Sequence, residues 1–113
     1  MDTILRQTLL FDFYGDLLTP HQRDIYEEVV CNDISCSEIA QREGVSRQSI
    51  NELVRKCDKQ MDAYEEKLHM MERFLAIRDL VKELRLQADA SFEADAVAKG
   101  RIMELCDQIM EEL

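Results

Sequence analysis

The stretch CSEIAQREGVSRQSINELVRK, residues 36–56, decides how this chain is read. It has the pattern of a helix-turn-helix. Such a motif needs a small residue where its two helices cross, and Ala40 supplies one. It needs a turn residue that tolerates positive φ, and Gly44 stands four residues later. Apolar anchors lie on both sides: Ile39 before the turn, then Val45, Ile50 and Leu53. Ser46 is suited to cap the second helix. Glu43 departs from the pattern, because the residue before the turn glycine is usually apolar. Its side chain is expected to swing toward solvent, or the packing there to be looser.

At about 100° per residue, Ile50, Leu53, Val54, Cys57 and Met61 fall on one side of the second helix. The opposite side carries Gln48, Asn51, Glu52, Arg55 and Lys59, with Arg47 at its edge and Lys56 nearby. Asn and Gln can pair bidentately with adenine, and Arg with guanine or phosphate, so these are suitable side chains for a recognition helix in a major groove. Glu52 lies within the same face and opposes phosphate.

Upstream, Ser35-Cys36-Ser37-Glu38 is a capping-box signature. Asn32-Asp33 marks a turn, and Thr19-Pro20 ends one helix and starts another that runs to about Cys31. A first helix is expected over residues 3–18, with Leu5, Leu9, Phe13 and Leu17 four apart and Leu10 and Tyr14 beside them. Downstream, the helix that begins after Ser46 has no clear stop before Leu86. Its apolar residues Cys57, Met61, Tyr64, Leu68, Met71 and Leu75 are spaced 4-3-4-3-4, a heptad-like stripe under three heptads long. Ala88-Asp89-Ala90-Ser91 is a weak break. A last helix fits residues 91–113, with Phe92, Ala98, Ile102, Leu105, Ile109 and Leu113 on one face and Gly100 weakening its interior.

The 113 residues include only three glycines and one proline, too few for the turns of a sheet protein, so the chain reads as all-α. Apolar residues make up 46% of it, enough to fold one core. The expected division is a helix-turn-helix domain over residues 1–60 and a helical extension over residues 61–113 packed as part of the same domain. The apolar stripe of the long helix is more than one small domain buries, which predicts a homodimer. Net charge is −10, unfavourable for phosphate binding in general. Residues 1–60 hold seven basic and eleven acidic residues, and residues 61–113 seven and thirteen, so any basic footprint must be local and in the first half.

No secretory signal precedes the four cysteines, Cys31, Cys36, Cys57 and Cys106, and none of them form C-x-x-C. They read as core filler in a reducing cytosol. No apolar run approaches a membrane span, so a cytoplasmic protein is expected. His21 and His69, with Cys31 and Cys36, match no zinc spacing. There is no Gly-rich phosphate loop and no nucleophile elbow. Met70 and Met71 with Tyr64 read as core or interface, and Glu65-Glu66 and Glu111-Glu112 as solvated faces. Neither a metal, a cofactor nor an enzymatic activity is expected.

Three segments, FYGDLLTPHQ (13–22), SEIAQREGVSRQSI (37–50) and YEEKLHM (64–70), together resemble the bacterial YlxM/p13 family. These are small proteins whose helix-turn-helix is similar to region 4 of sigma-70 factors. The resemblance runs over residues 4–71. It implies a sigma-70 region 4-like helix-turn-helix followed by a long helix and a C-terminal helix. It also implies a regulatory part in the signal recognition particle pathway, with contact to the particle's GTPase or its RNA. Nucleic-acid contacts would fall on Ser46, Arg47, Gln48, Asn51 and Arg55, to which the charge pattern adds Lys56 and Lys59. Two other functions are compatible with the residues. One is a transcription regulator reading DNA through Gln48, Asn51 and Arg55. The other is a protein-docking module without a nucleic-acid ligand, which the net charge favours.

Overall fold

A computed structural model describes residues 1–91 and 95–113. Phe92, expected on the last helix, lies outside the described residues. The fold is all-α. Its helices are α1 (Thr3–Tyr14), α2 (Pro20–Tyr26), α3 (Cys36–Glu43), α4 (Arg47–Leu68), α5 (Met70–Ser91) and α6 (Ala96–Glu112). The chain divides into two compact units, Met1–Met71 and Glu72–Leu113.

In the first unit, α1 begins where the Asp2 carboxylate accepts from the Ile4 N–H. It continues as one 3-10 turn, Gly15–Leu17. A Cβ on Gly15 would sit 2.8 Å from the ring of Phe11, so the close approach of ring and backbone requires glycine. Leu10, Phe11, Tyr14 and Leu18 are buried, whereas Leu5 and Leu17 of the expected stripe are 52% and 53% exposed. The aromatic residues decide this face: Phe11 stacks on Tyr26 of α2 with ring centroids 5.4 Å apart, and Tyr14 packs against Tyr64 of α4 at 5.9 Å.

Thr19 forms a full capping box with Gln22 ahead of α2. That helix then widens into a π turn, Glu27–Cys31, closed by the Asn32 N–H on the Glu27 carbonyl at 3.0 Å. Asp33 takes a left-handed φ of 53° at the expected turn. At Ser35 the hydroxyl half of the expected box is formed, accepting from the Glu38 N–H at 3.1 Å. Cys31 is exposed on the π turn rather than acting as core filler, while Cys57 and Cys106 are buried.

The long helix expected through Leu86 is broken at His69, which adopts a left-handed φ of 54°. No glycine or proline marks the place. The break is held by tertiary bonds. Glu65 is a carboxylate only 7% exposed. It accepts from the Tyr14 hydroxyl at 2.6 Å and from the Met71 N–H at 2.9 Å. The Tyr14 hydroxyl in turn accepts from the Met70 N–H at 3.2 Å. First-turn amides of a helix have no partner within it, and here α1 and α4 supply them for α5. The positive end of α5 also favours the carboxylate. Cys57, Met61 and Met71 of the heptad-like stripe are buried, and Leu68 is turned out.

In the second unit, α5 continues straight through the weak break at 88–91. The last helix starts later than expected, where the Asp95 carboxylate caps it by accepting from the Ala98 N–H at 3.0 Å. Val81, Ala88 and Cys106 are buried, and Leu105, Ile109 and Leu113 of the expected inner face are largely exposed. Ion pairs from Arg85 to Asp107 and from Lys99 to Asp89 join α5 to α6.

Replacing Tyr14 by Phe keeps the ring and removes the hydroxyl. It leaves a buried carboxylate and the Met70 amide short of a partner, and should cost about 2 kcal/mol in urea denaturation; an unchanged midpoint would show that the bond contributes nothing.

Burial, followed by bonds to Glu65 and Asp58, raises the pKa of Tyr14 and of Tyr26. Burial also pushes the Cys57 thiol up to about 11. These groups keep their protons in the folded chain while the unfolded chain loses them at ordinary values. Stability should then be flat from neutral pH to about pH 8.5 and fall above it, as the unfolded thiol and then the phenols ionise. Stability that rises with pH over this range would contradict the assignment.

Candidate nucleic-acid interface

The two helices of the motif are set by their ends. Gly44 closes α3 in a left-handed conformation, φ 71°, with its N–H on the Ala40 carbonyl. The Ser46 hydroxyl opens α4 by accepting from the Ser49 N–H at 3.1 Å. Beneath the turn lies a cluster of Ile25, Ile39, Ala40 and Ile50, with Val29, Ile34, Cys36 and Leu53 packed against it. The helix crossing at Ala40 and the anchors Ile39, Ile50 and Leu53 thus stand where the pattern put them. Val45 does not: it is 47% exposed, because the turn carries it past the cluster. Glu43 is turned outward as expected, where it meets Arg42 at 3.4 Å and His21 at 3.9 Å.

Along the edge of α4 facing α1 and α2 stand three carboxylates, Asp58, Asp62 and Glu65. Asp58 accepts from the Tyr26 hydroxyl at 2.5 Å and from the Gln7 amide at 3.0 Å. Asp62 pairs with Arg6 at 2.5 Å, and Glu65 takes the Tyr14 hydroxyl. The spacing of four and three places them on one edge of a 3.6-residue helix, a signal present in the sequence but masked by the overall acidity.

The outer face holds the residues expected to meet nucleic acid. Ser46, Arg47, Gln48, Arg55, Lys56 and Lys59 are exposed, and Asn51 is half-buried. Of the seven basic residues between positions 1 and 60, three are paired: Arg6 with Asp62, Arg23 with Asp16 at 3.2 Å, and Arg42 with Glu28 at 2.8 Å. Among the described residues, Arg47, Arg55, Lys56 and Lys59 pair with no carboxylate. Among the described residues, the basic residues of the first half that pair with no carboxylate thus all lie on α4.

The polar side chains between these cations are less available. The Gln48 amide donates to Glu52 at 3.2 Å. The Asn51 carbonyl oxygen accepts from the Cys36 thiol of α3 at 3.2 Å, a contact that sequence spacing alone does not reveal. Ser46 acts first as the helix cap. No helix among the described residues is long and apolar enough to cross a membrane.

Residues 1–99 match the family UPF0122, described as "Putative helix-turn-helix protein, YlxM / p13 like". The chain is similar to a UPF0122 protein of Shouchella clausii, at 34% identity over 113 residues covering 100% of this chain and 95% of the relative. A UPF0122 protein of Symbiobacterium thermophilum is 38% identical over 104 residues, 89% of this chain and 97% of its own. One of Lactococcus lactis is 32% identical over 107 residues, 95% and 92% respectively. A helix-turn-helix family is not a class of enzymes, and the geometry around Gly44 agrees with that description. The chain belongs to the UPF0122 family of YlxM / p13-like helix-turn-helix proteins.

Proposed function

We propose that the chain is a regulatory protein that binds nucleic acid through the outer face of α4 and has no catalytic role. The observation that carries this reading is the pairing pattern. In a chain of net charge −10, Arg47, Arg55, Lys56 and Lys59 stand exposed and, among the described residues, unpaired on the second helix of a helix-turn-helix. Phosphate binding draws on such cations, and the local field matters more than the total charge. Ser46 starts the helix that presents them, and Gln48 and Asn51 lie among them.

The regulatory setting we assign is the signal recognition particle pathway, with the particle's RNA or its GTPase as partner. Membership of the YlxM / p13 family supports this setting, and the residues of α4 support the interface. A sigma-like regulator acting on DNA uses the same face. Binding is measured by fluorescence anisotropy at low salt against duplex DNA and the particle's RNA, with the GTPase as a separate partner. Nucleic-acid binding is expected, and Arg55→Ala should weaken it roughly fivefold without altering the fold. Retention of the GTPase alone, with no nucleic acid held at about 50 mM salt, would replace this reading with a protein-docking module.

A further inference from the structure

The side chains of α4 differ in what they have left to offer a ligand, and that difference bears on what kind of readout the face performs. This inference rests on the reading of α4 as a nucleic-acid interface. Base readout by a recognition helix needs amides and guanidinium groups free to make paired hydrogen bonds to base edges. Asn51 is half-buried, and its carbonyl oxygen is already engaged by the Cys36 thiol at 3.2 Å. A bidentate contact with adenine uses both the oxygen and the NH2 group of the amide, so Asn51 cannot make it while held by Cys36. Gln48 is tied to Glu52 at 3.2 Å. A surface pair of this kind is weak, and a duplex could displace it. The carboxylate then exposed is the stronger bar. Held over a major groove, Glu52 would oppose the N7 and O6 acceptors of guanine and the O4 acceptor of thymine, and only the amino groups of cytosine and adenine could donate to it.

The cations carry no such restraint. Arg47, Arg55, Lys56 and Lys59 are exposed and unpaired among the described residues. From Arg47 to Lys59 the helix rises about 18 Å, longer than the ~12 Å width of the major groove. Cations at the two ends of this segment can therefore meet phosphates on both strands, with Glu52 near the middle keeping the helix off the bases.

We propose that this face of α4 takes the phosphate backbone of a nucleic-acid duplex without selecting bases, and that Glu52 sets this indifference. The contact is electrostatic, so the three cations that share this side, Arg47, Arg55 and Lys59, should give a slope of log K against log salt of about −2.5 to −3. The same chemistry is offered by a DNA duplex and by the double-stranded part of an RNA.

The test uses the full chain and three fluorescent 20-base-pair probes: an A+T-rich DNA duplex, a G+C-rich DNA duplex and an RNA duplex. The two DNA affinities should agree within about threefold, and a pool of random duplexes should yield no consensus after selection. Asn51→Ala should leave the ranking of sequences unchanged. Glu52→Gln should tighten both DNA complexes by a similar factor of roughly three to ten. Whichever of DNA or RNA binds more tightly identifies the source of the duplex. A preference above about thirtyfold between the two DNA sequences, or a ranking that Asn51→Ala reverses, overturns the inference and leaves α4 as a base-reading interface. Failure to bind all three probes at about 20 mM salt overturns the interface itself.

Discussion

The hydrogen bond from the Tyr14 hydroxyl to the Glu65 carboxylate is the constraint on which the first unit depends. It joins the end of α1 to the end of α4, 51 positions apart in the chain. The same two groups accept the amides of Met70 and Met71, so one contact fixes a helix crossing and also ends a helix. A buried carboxylate is costly unless its oxygens are engaged, and these bonds offset that cost. Further along α4, Asp62 meets Arg6, Asp58 meets Tyr26 and Gln7, and Asn51 meets Cys36. The helix is therefore fastened to α1, α2 and α3 along its length, and its remaining face is held in one orientation.

This fastening explains how an acidic chain can present a basic face. Carboxylates on one edge of α4 accept bonds from tyrosine, glutamine and arginine side chains of its neighbours. Among the described residues, Arg47, Arg55, Lys56 and Lys59 of the same helix pair with no carboxylate. Total charge is a sum over the chain, whereas a phosphate meets only the field close to it. Glu52 is the exception among the cations, and its place there bears on selectivity more than on whether the face is basic.

Much of this was legible in the sequence because it is written in local terms. Gly44, Ala40, Ser46 and the stripe Ile50, Leu53, Cys57 and Met61 follow from backbone conformation and a period of 3.6 residues, and the structure keeps them. The places where expectation failed are those decided by partners distant in sequence. The break at His69 carries no glycine or proline, since its cause is Tyr14 and Glu65. The inner face of α1 follows Phe11 and Tyr14 because aromatic rings of α2 and α4 receive them. Val45 fits the motif by spacing yet lies outside the cluster. The start of α6 lies beyond the break expected at 88–91, at Asp95, whose side chain caps the helix. For the interface, the identity of the cations was readable, but their freedom was not, since that depends on where each carboxylate is engaged.

Amide hydrogen exchange at Met70 and Met71 tests the central claim most directly. First-turn amides exchange quickly when water is their only partner, as expected for Arg47 and Gln48 at the start of α4. If Tyr14 and Glu65 hold the break, the Met70 and Met71 amides exchange slowly, at the level of the buried residues Ile50 and Met61. Exchange at Met70 and Met71 as fast as at Arg47 and Gln48 would contradict the account.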